Sequence, residues 1–149
     1  IVAISQGRDL LTLEQQIQVL DRVTNDLLTP GGLRTLAPSD PAYCGHYDTS
    51  LPILEKDQAY HQGTVWPWLI GPYCDAFAQV RKQQGENQTA IRSELTGIIS
   101  PLVRFCLESP HQNLPEVFSG DLPYDPGGTT AQAWSVAEVL RVIAQHQLI

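Results

Sequence analysis

The segment Tyr60-His61-Gln62-Gly63-Thr64-Val65-Trp66-Pro67-Trp68 is the densest concentration of potential chemistry in the chain. It joins aromatic faces to amide and imidazole groups, with a glycine that lets backbone approach a ligand closely. Sugars are bound by such sets, because rings cover their C–H faces while polar groups satisfy the hydroxyls. A helix starting near Thr64 would add orphan N–H donors. Trp66 and Trp68 would serve equally as core anchors, and residue type alone leaves both uses open.

Glu116 follows Leu114-Pro115 and precedes Val117-Phe118. A carboxyl group among apolar neighbours suits acid/base work; a solvated loop glutamate is the plainer alternative. Asp121 and Asp125 stand in Asp-Leu-Pro and Asp-Pro-Gly, which are turn sequences. Cys44-Gly45-His46 could be half a metal site, but no second Cys/His pair stands at ligand spacing. No glycine-rich phosphate loop and no serine nucleophile elbow occurs, so neither cofactor nor metal is expected. His46, His111 and His146 lack a partner pattern and read as structural or surface groups.

Four helices are expected to carry these residues. Thr12-Leu13-Glu14-Gln15 is a capping box opening the first, with Leu13, Ile17, Leu20, Leu27 and Leu28 as its stripe. Thr29-Pro30-Gly31-Gly32 ends it. The second begins near Thr64 and should kink at Pro72. The third runs from about Thr89 to Leu107 and should bend at Pro101. The last starts near Thr130 and is apolar on nearly all sides, as in a helix buried deep in a larger structure. Residues 33–63 and 109–128 are long connections, and such loops in a compact domain are usually functional. No strand pattern of convincing length appears, so the expected class is all-α.

The chain has 149 residues, which allows one domain. Hydrophobic residues make up 42%, excluding a disordered tail, while 17% charged is low for a free-standing domain. Such a surface is suited to being covered, by a partner or by more of the same polypeptide. The net charge is −7, and Lys56 and Lys82 are the only lysines. Nucleic acid and anionic membrane surfaces are therefore poor partners. No apolar run approaches the roughly 20 residues a spanning helix needs. Three widely spaced cysteines read as reduced thiols, which points to the cytoplasm.

Three stretches together resemble the C-terminal catalytic domain of glycogen debranching enzymes, the amylo-α-1,6-glucosidase family. They are Thr29-Pro30-Gly31-Gly32-Leu33-Arg34-Thr35-Leu36-Ala37-Pro38 with Tyr43-Cys44-Gly45-His46-Tyr47; Ala59 through Pro72; and Leu114-Pro115-Glu116 with Ala131-Gln132-Ala133-Trp134-Ser135-Val136-Ala137-Glu138. The resemblance implies that residues 1–149 are one C-terminal, helical-hairpin portion of an (α/α)6 six-hairpin toroid, with the upstream half of the barrel elsewhere. It implies inverting hydrolysis of the α-1,6-linked glucose at trimmed branch points of a branched α-glucan. Glu116 matches the family's general base. Tyr60, His61, Gln62, Gly63, Trp66 and Trp68 match its glucose-binding wall, and Gln132 and Trp134 open the last inner helix facing the site. The family's general acid is an aspartate beside a Trp-Met dipeptide, a setting this chain lacks. Ser119 and Thr129 depart from the family pattern at positions expected not to touch the base. The partners implied are the glucan and the rest of the polypeptide, with self-association of the isolated piece. Two alternatives stand beside this reading: a related (α/α)6 α-glucosidase, and a non-catalytic helical carbohydrate-binding or assembly module.

Overall fold

The computed structural model describes residues 1–7 and 10–148. Its helices are α1 Val2–Ser5, α2 Leu13–Asp26, α3 Ile53–Tyr60, α4 Ile70–Gln83, α5 Gln88–Glu108 and α6 Ala133–His146. Between them lie the short strands β1 Leu28–Thr29, β2 Gly32–Arg34, β3 Val65–Trp66, β4 Val117–Phe118 and β5 Pro126–Gly127. The strands form one antiparallel sheet in the order β1-β2-β3-β4-β5. The molecule is therefore mostly helical rather than all-α. Strands of two or three residues are too short to show a period of two, and distant parts of the chain hold them together.

α2 begins as its capping box dictates. Thr12 Oγ1 accepts from the Gln15 amide at 3.3 Å, and Gln15 Oε1 accepts from the Thr12 amide at 2.9 Å. Thr29-Pro30-Gly31-Gly32 does more than end α2. It turns the chain so that Leu28 pairs Leu33 and Thr29 pairs Gly32. The second long helix starts at Ile70, six residues later than expected. Val65 and Trp66 are extended there because they pair with β2 and β4, and Pro67–Leu69 makes a single 3-10 turn. Pro72 thus falls in the first turn of α4, where its missing N–H costs nothing and no kink is required. Asn87 caps α5 by accepting from the Ala90 amide at 2.8 Å, and Pro101 lies inside that helix as expected.

α6 is not apolar all round in its burial. Ser135, Val139 and Val142 face the core, while Trp134 is 47% and Leu140 59% exposed. His146 has a partner the spacing did not reveal, since its Nε2 lies 2.9 Å from Asp75 Oδ1. Arg141 meets the other Asp75 oxygen at 2.8 Å, so the pair pins α6 to α4. The main core gathers Leu20, Ile70, Tyr73, Leu95, Leu102 and Val142. Fully burying such an aliphatic side chain contributes about 2 kcal/mol. A smaller cluster of Tyr47, Ala59, Trp66 and Val117 sits apart, beneath the loops.

Those loops are stitched by backbone groups. The Cys44 amide donates to the Gln62 carbonyl at 2.6 Å, and the Gly120 amide to the Gly45 carbonyl at 2.6 Å. Arg34 Nε donates to the Gly120 carbonyl at 2.9 Å. The first long connection, which contains α3, and the second, which contains β4 and β5, are therefore tied directly to one another. Asp121 closes a turn with Tyr124 and also accepts from the Tyr43 hydroxyl at 2.8 Å.

Candidate active site

Glu116 occupies the residue before β4, so its backbone is fixed from both sides. Val117 pairs Gly127, and the Glu116 amide donates to the Thr129 carbonyl at 2.8 Å. The side chain is half-buried and is not set among apolar groups alone. Its Oε1 accepts from the Tyr60 hydroxyl at 2.8 Å and from Gln132 Nε2 at 3.4 Å. Its Oε2 accepts from the Thr129 amide at 3.2 Å. Thr129, a position expected not to touch this carboxylate, holds it through backbone, a contact any residue but proline would keep. Ser119, the other departing position, accepts from the Tyr47 amide at 3.2 Å.

The carboxylate faces a cleft of ≈ 510 Å³ lined by Tyr47, Thr49, Lys56, Asp57, Tyr60, Glu116, Gly128 and Thr129. Sequence reasoning did not single out Thr49, Lys56, Asp57 or Gly128. α3 is too short for its period to stand out, and Gly128 read only as the end of the second long connection. Tyr47 closed one of the family-like stretches without being assigned a role. Burial first, and then the charge of Glu116, raise both the Tyr60 and Tyr47 phenols above their ordinary range. Both stay protonated, so Tyr60 remains a donor to the carboxylate. Gly128 has φ of +68°, and a Cβ there would overlap Oε2.

The aromatic segment divides into parts with different fates. Tyr60 packs edge-on against Trp66 at 4.8 Å between centroids, and His61 stacks on Trp66 at 5.7 Å. Trp66 is only 6% exposed, and its indole N–H donates to the Tyr60 carbonyl at 3.1 Å. It is a core anchor, not an open wall. Beyond it Trp134 meets Trp66 at 6.0 Å and Trp68 at 5.7 Å, extending an aromatic ridge that ends at the surface. His61 is exposed.

Gln62 and Gly63 act through their backbone. The Gln62 carbonyl takes the Cys44 amide, and the Gly63 N–H donates to Thr35 Oγ1 at 2.9 Å. Gly63 is required, because its φ is +152° and a Cβ would overlap the Cys44 carbonyl oxygen. The expected helix-end donors near Thr64 are not present, since the helix starts later. The structure thus brings Tyr60, Glu116 and Gln132 into direct contact, with Trp66, Trp68, Trp134 and His61 on the adjoining ridge.

Such an arrangement can accept a proton. A carboxylate with three donors and one open side, in a cleft mixing phenols with Lys56 and Asp57, suits general-base work on a hydroxylated ligand.

The chain is similar to known proteins over nearly its whole length. The family model described as amylo-alpha-1,6-glucosidase matches residues 1–141. A glycogen debranching enzyme of Saccharomyces cerevisiae is 28% identical over 152 aligned positions, covering 93% of this chain and 10% of that protein. The chain therefore spans only a small part of that relative's length.

Proposed function

The chain belongs to the amylo-alpha-1,6-glucosidase family, and from that premise we propose that it supplies the general-base side of a glycosidase active site in a longer polypeptide. The substrate is the α-1,6-linked glucose left at a trimmed branch point of a branched α-glucan. Glu116 activates a water for attack on the anomeric carbon. A carboxylic acid outside these 149 residues protonates the leaving oxygen from about 6.5–9.5 Å away, the spacing of an inverting pair.

One observation carries this reading: the Glu116 carboxylate is fixed by three hydrogen bonds yet presented to a cleft. The cleft's ≈ 510 Å³ falls in the range of small-ligand sites, about 300–1,000 Å³. The helices read as hairpins of an (α/α)6 toroid completed by the rest of the polypeptide. Exposed apolar side chains support that completion, among them Ile53 at 69% and Leu54 at 83%.

The test uses the full-length protein. Glu116→Gln keeps the shape of the side chain and one acceptor oxygen but removes the base, so glucose release from limit dextrin should fall by about 10³-fold while the fold is retained. Near-wild-type release would remove Glu116 from the mechanism.

A further inference from the structure

A carboxylate acting as a base needs one oxygen fixed and the other open to water. Each oxygen of a carboxylate offers about two lone-pair sites. On Glu116 the two oxygens are treated differently. Oε1 takes two donors, the Tyr60 hydroxyl and Gln132 Nε2, so its sites are filled. Oε2 takes one, the Thr129 amide. It lies on the cleft wall against Gly128, where a Cβ would overlap it, and one of its two lone-pair sites has no protein donor.

Tyr60 itself has little left to offer a sugar. Its ring is packed against Tyr47 at 5.8 Å, His61 at 4.8 Å and Trp66 at 4.8 Å. Its carbonyl accepts from the Trp66 indole and from Thr64 Oγ1 at 2.6 Å, and its hydroxyl is spent on Glu116.

We propose that Tyr60 is a positioning residue for the reaction, not part of the glucose-binding wall: with Gln132 it occupies Oε1 of Glu116, so that Oε2 is the oxygen that takes the proton of the attacking water. This rests on Glu116 being the general base. In the step, the water oxygen bonds to the anomeric carbon as the glycosidic C–O bond breaks. The water proton passes to Oε2, and the leaving oxygen takes its proton from the carboxylic acid elsewhere in the polypeptide. Tyr47, Lys56 and Asp57 face the same cleft.

Tyr60→Phe in the full-length protein, assayed on limit dextrin, tests this. We expect kcat to fall about 10–100-fold and KM to stay within about twofold. A sugar-wall role would instead raise KM with kcat little changed, and that result overturns the proposal. Should Tyr60→Phe fail to fold, Gln132→Leu removes the weaker donor. Its kcat should fall by less with KM unmoved, and an unchanged kcat overturns the proposal. Glu116→Gln, run in parallel, separates the two readings. If it keeps activity, the general-base assignment itself fails, whatever Tyr60→Phe shows.

Discussion

Gly128 packs so closely on Glu116 that a Cβ at position 128 would overlap the carboxylate Oε2. The glycine also holds a φ of +68°, where an L side chain costs about 1 kcal/mol. The position of the Glu116 carboxylate and the backbone conformation at 128 thus depend on the same absent atom.

Gly128→Ala should therefore hurt activity more than stability. Unfolding free energy should drop by only about 1 kcal/mol. Displacing the carboxylate by even part of an ångström should cut kcat by about tenfold or more. Steady-state kinetics and denaturant melts on the full-length protein measure both. A wild-type kcat would show that Oε2 has room to shift.

Trp66 and Trp134 should separate fold from binding. Trp66→Ala empties a site that is only 6% exposed and should cost about 3–5 kcal/mol of stability. Trp134 stands 47% exposed at the end of the aromatic ridge, so Trp134→Ala should raise KM for branched dextrin severalfold with little change in melting. Equal stability losses from the two would deny Trp134 a binding role.

Asp75 gives a pH signature. Burial pushes its carboxyl up, but hydrogen bonds from His146 and Arg141 outweigh that and hold it below the usual range. A folded value below the unfolded one contributes stability that is present above about pH 4 and lost as pH falls through the folded value. Asp75→Asn should thus destabilise by about 2 kcal/mol near neutrality. The gap to wild type should narrow below about pH 4. Urea titrations at pH 6 and pH 3 showing the same gap would count against the linkage.

The three thiols should label unequally. Burial, and then the neighbouring Asp75 charge, push the Cys74 thiol up to about 12. The thiolate is the reacting species, so Cys74 should resist alkylation at pH 8 until the protein unfolds. Cys44 and Cys106 are partly exposed and should label in the native state. Peptide-resolved mass spectrometry reads this directly, and early modification of Cys74 would contradict the packing of α4 against α6.

The long helices were legible because burial repeats along them. Leu95, Ile99 and Leu102 of α5 fall at helical spacing, and the Thr12 cap announces α2. The start of α4 was not legible. Val65 and Trp66 are extended only because Leu33 and Phe118, far off in sequence, lie beside them. In the site, Glu116 and Tyr60 stood out by their neighbours in sequence, but their hydrogen bond spans 56 positions. Lys56, Asp57 and Thr49 reach the cleft by the same folding of loops, for which local sequence carries no period. Trp66 was ambiguous by type, and its burial decides it for the core.

β3 and β4 meet at one residue pair, Val65 opposite Phe118, and this rung sets Tyr60 and Glu116 side by side. Val65 is 0% and Phe118 3% exposed, and both belong to the main core, so opening this rung exposes core side chains. Amide exchange at these strands should therefore be about as slow as in the packed helices. The site then fails only as the core itself melts, which ties the catalytic ceiling of this fold to its melting point.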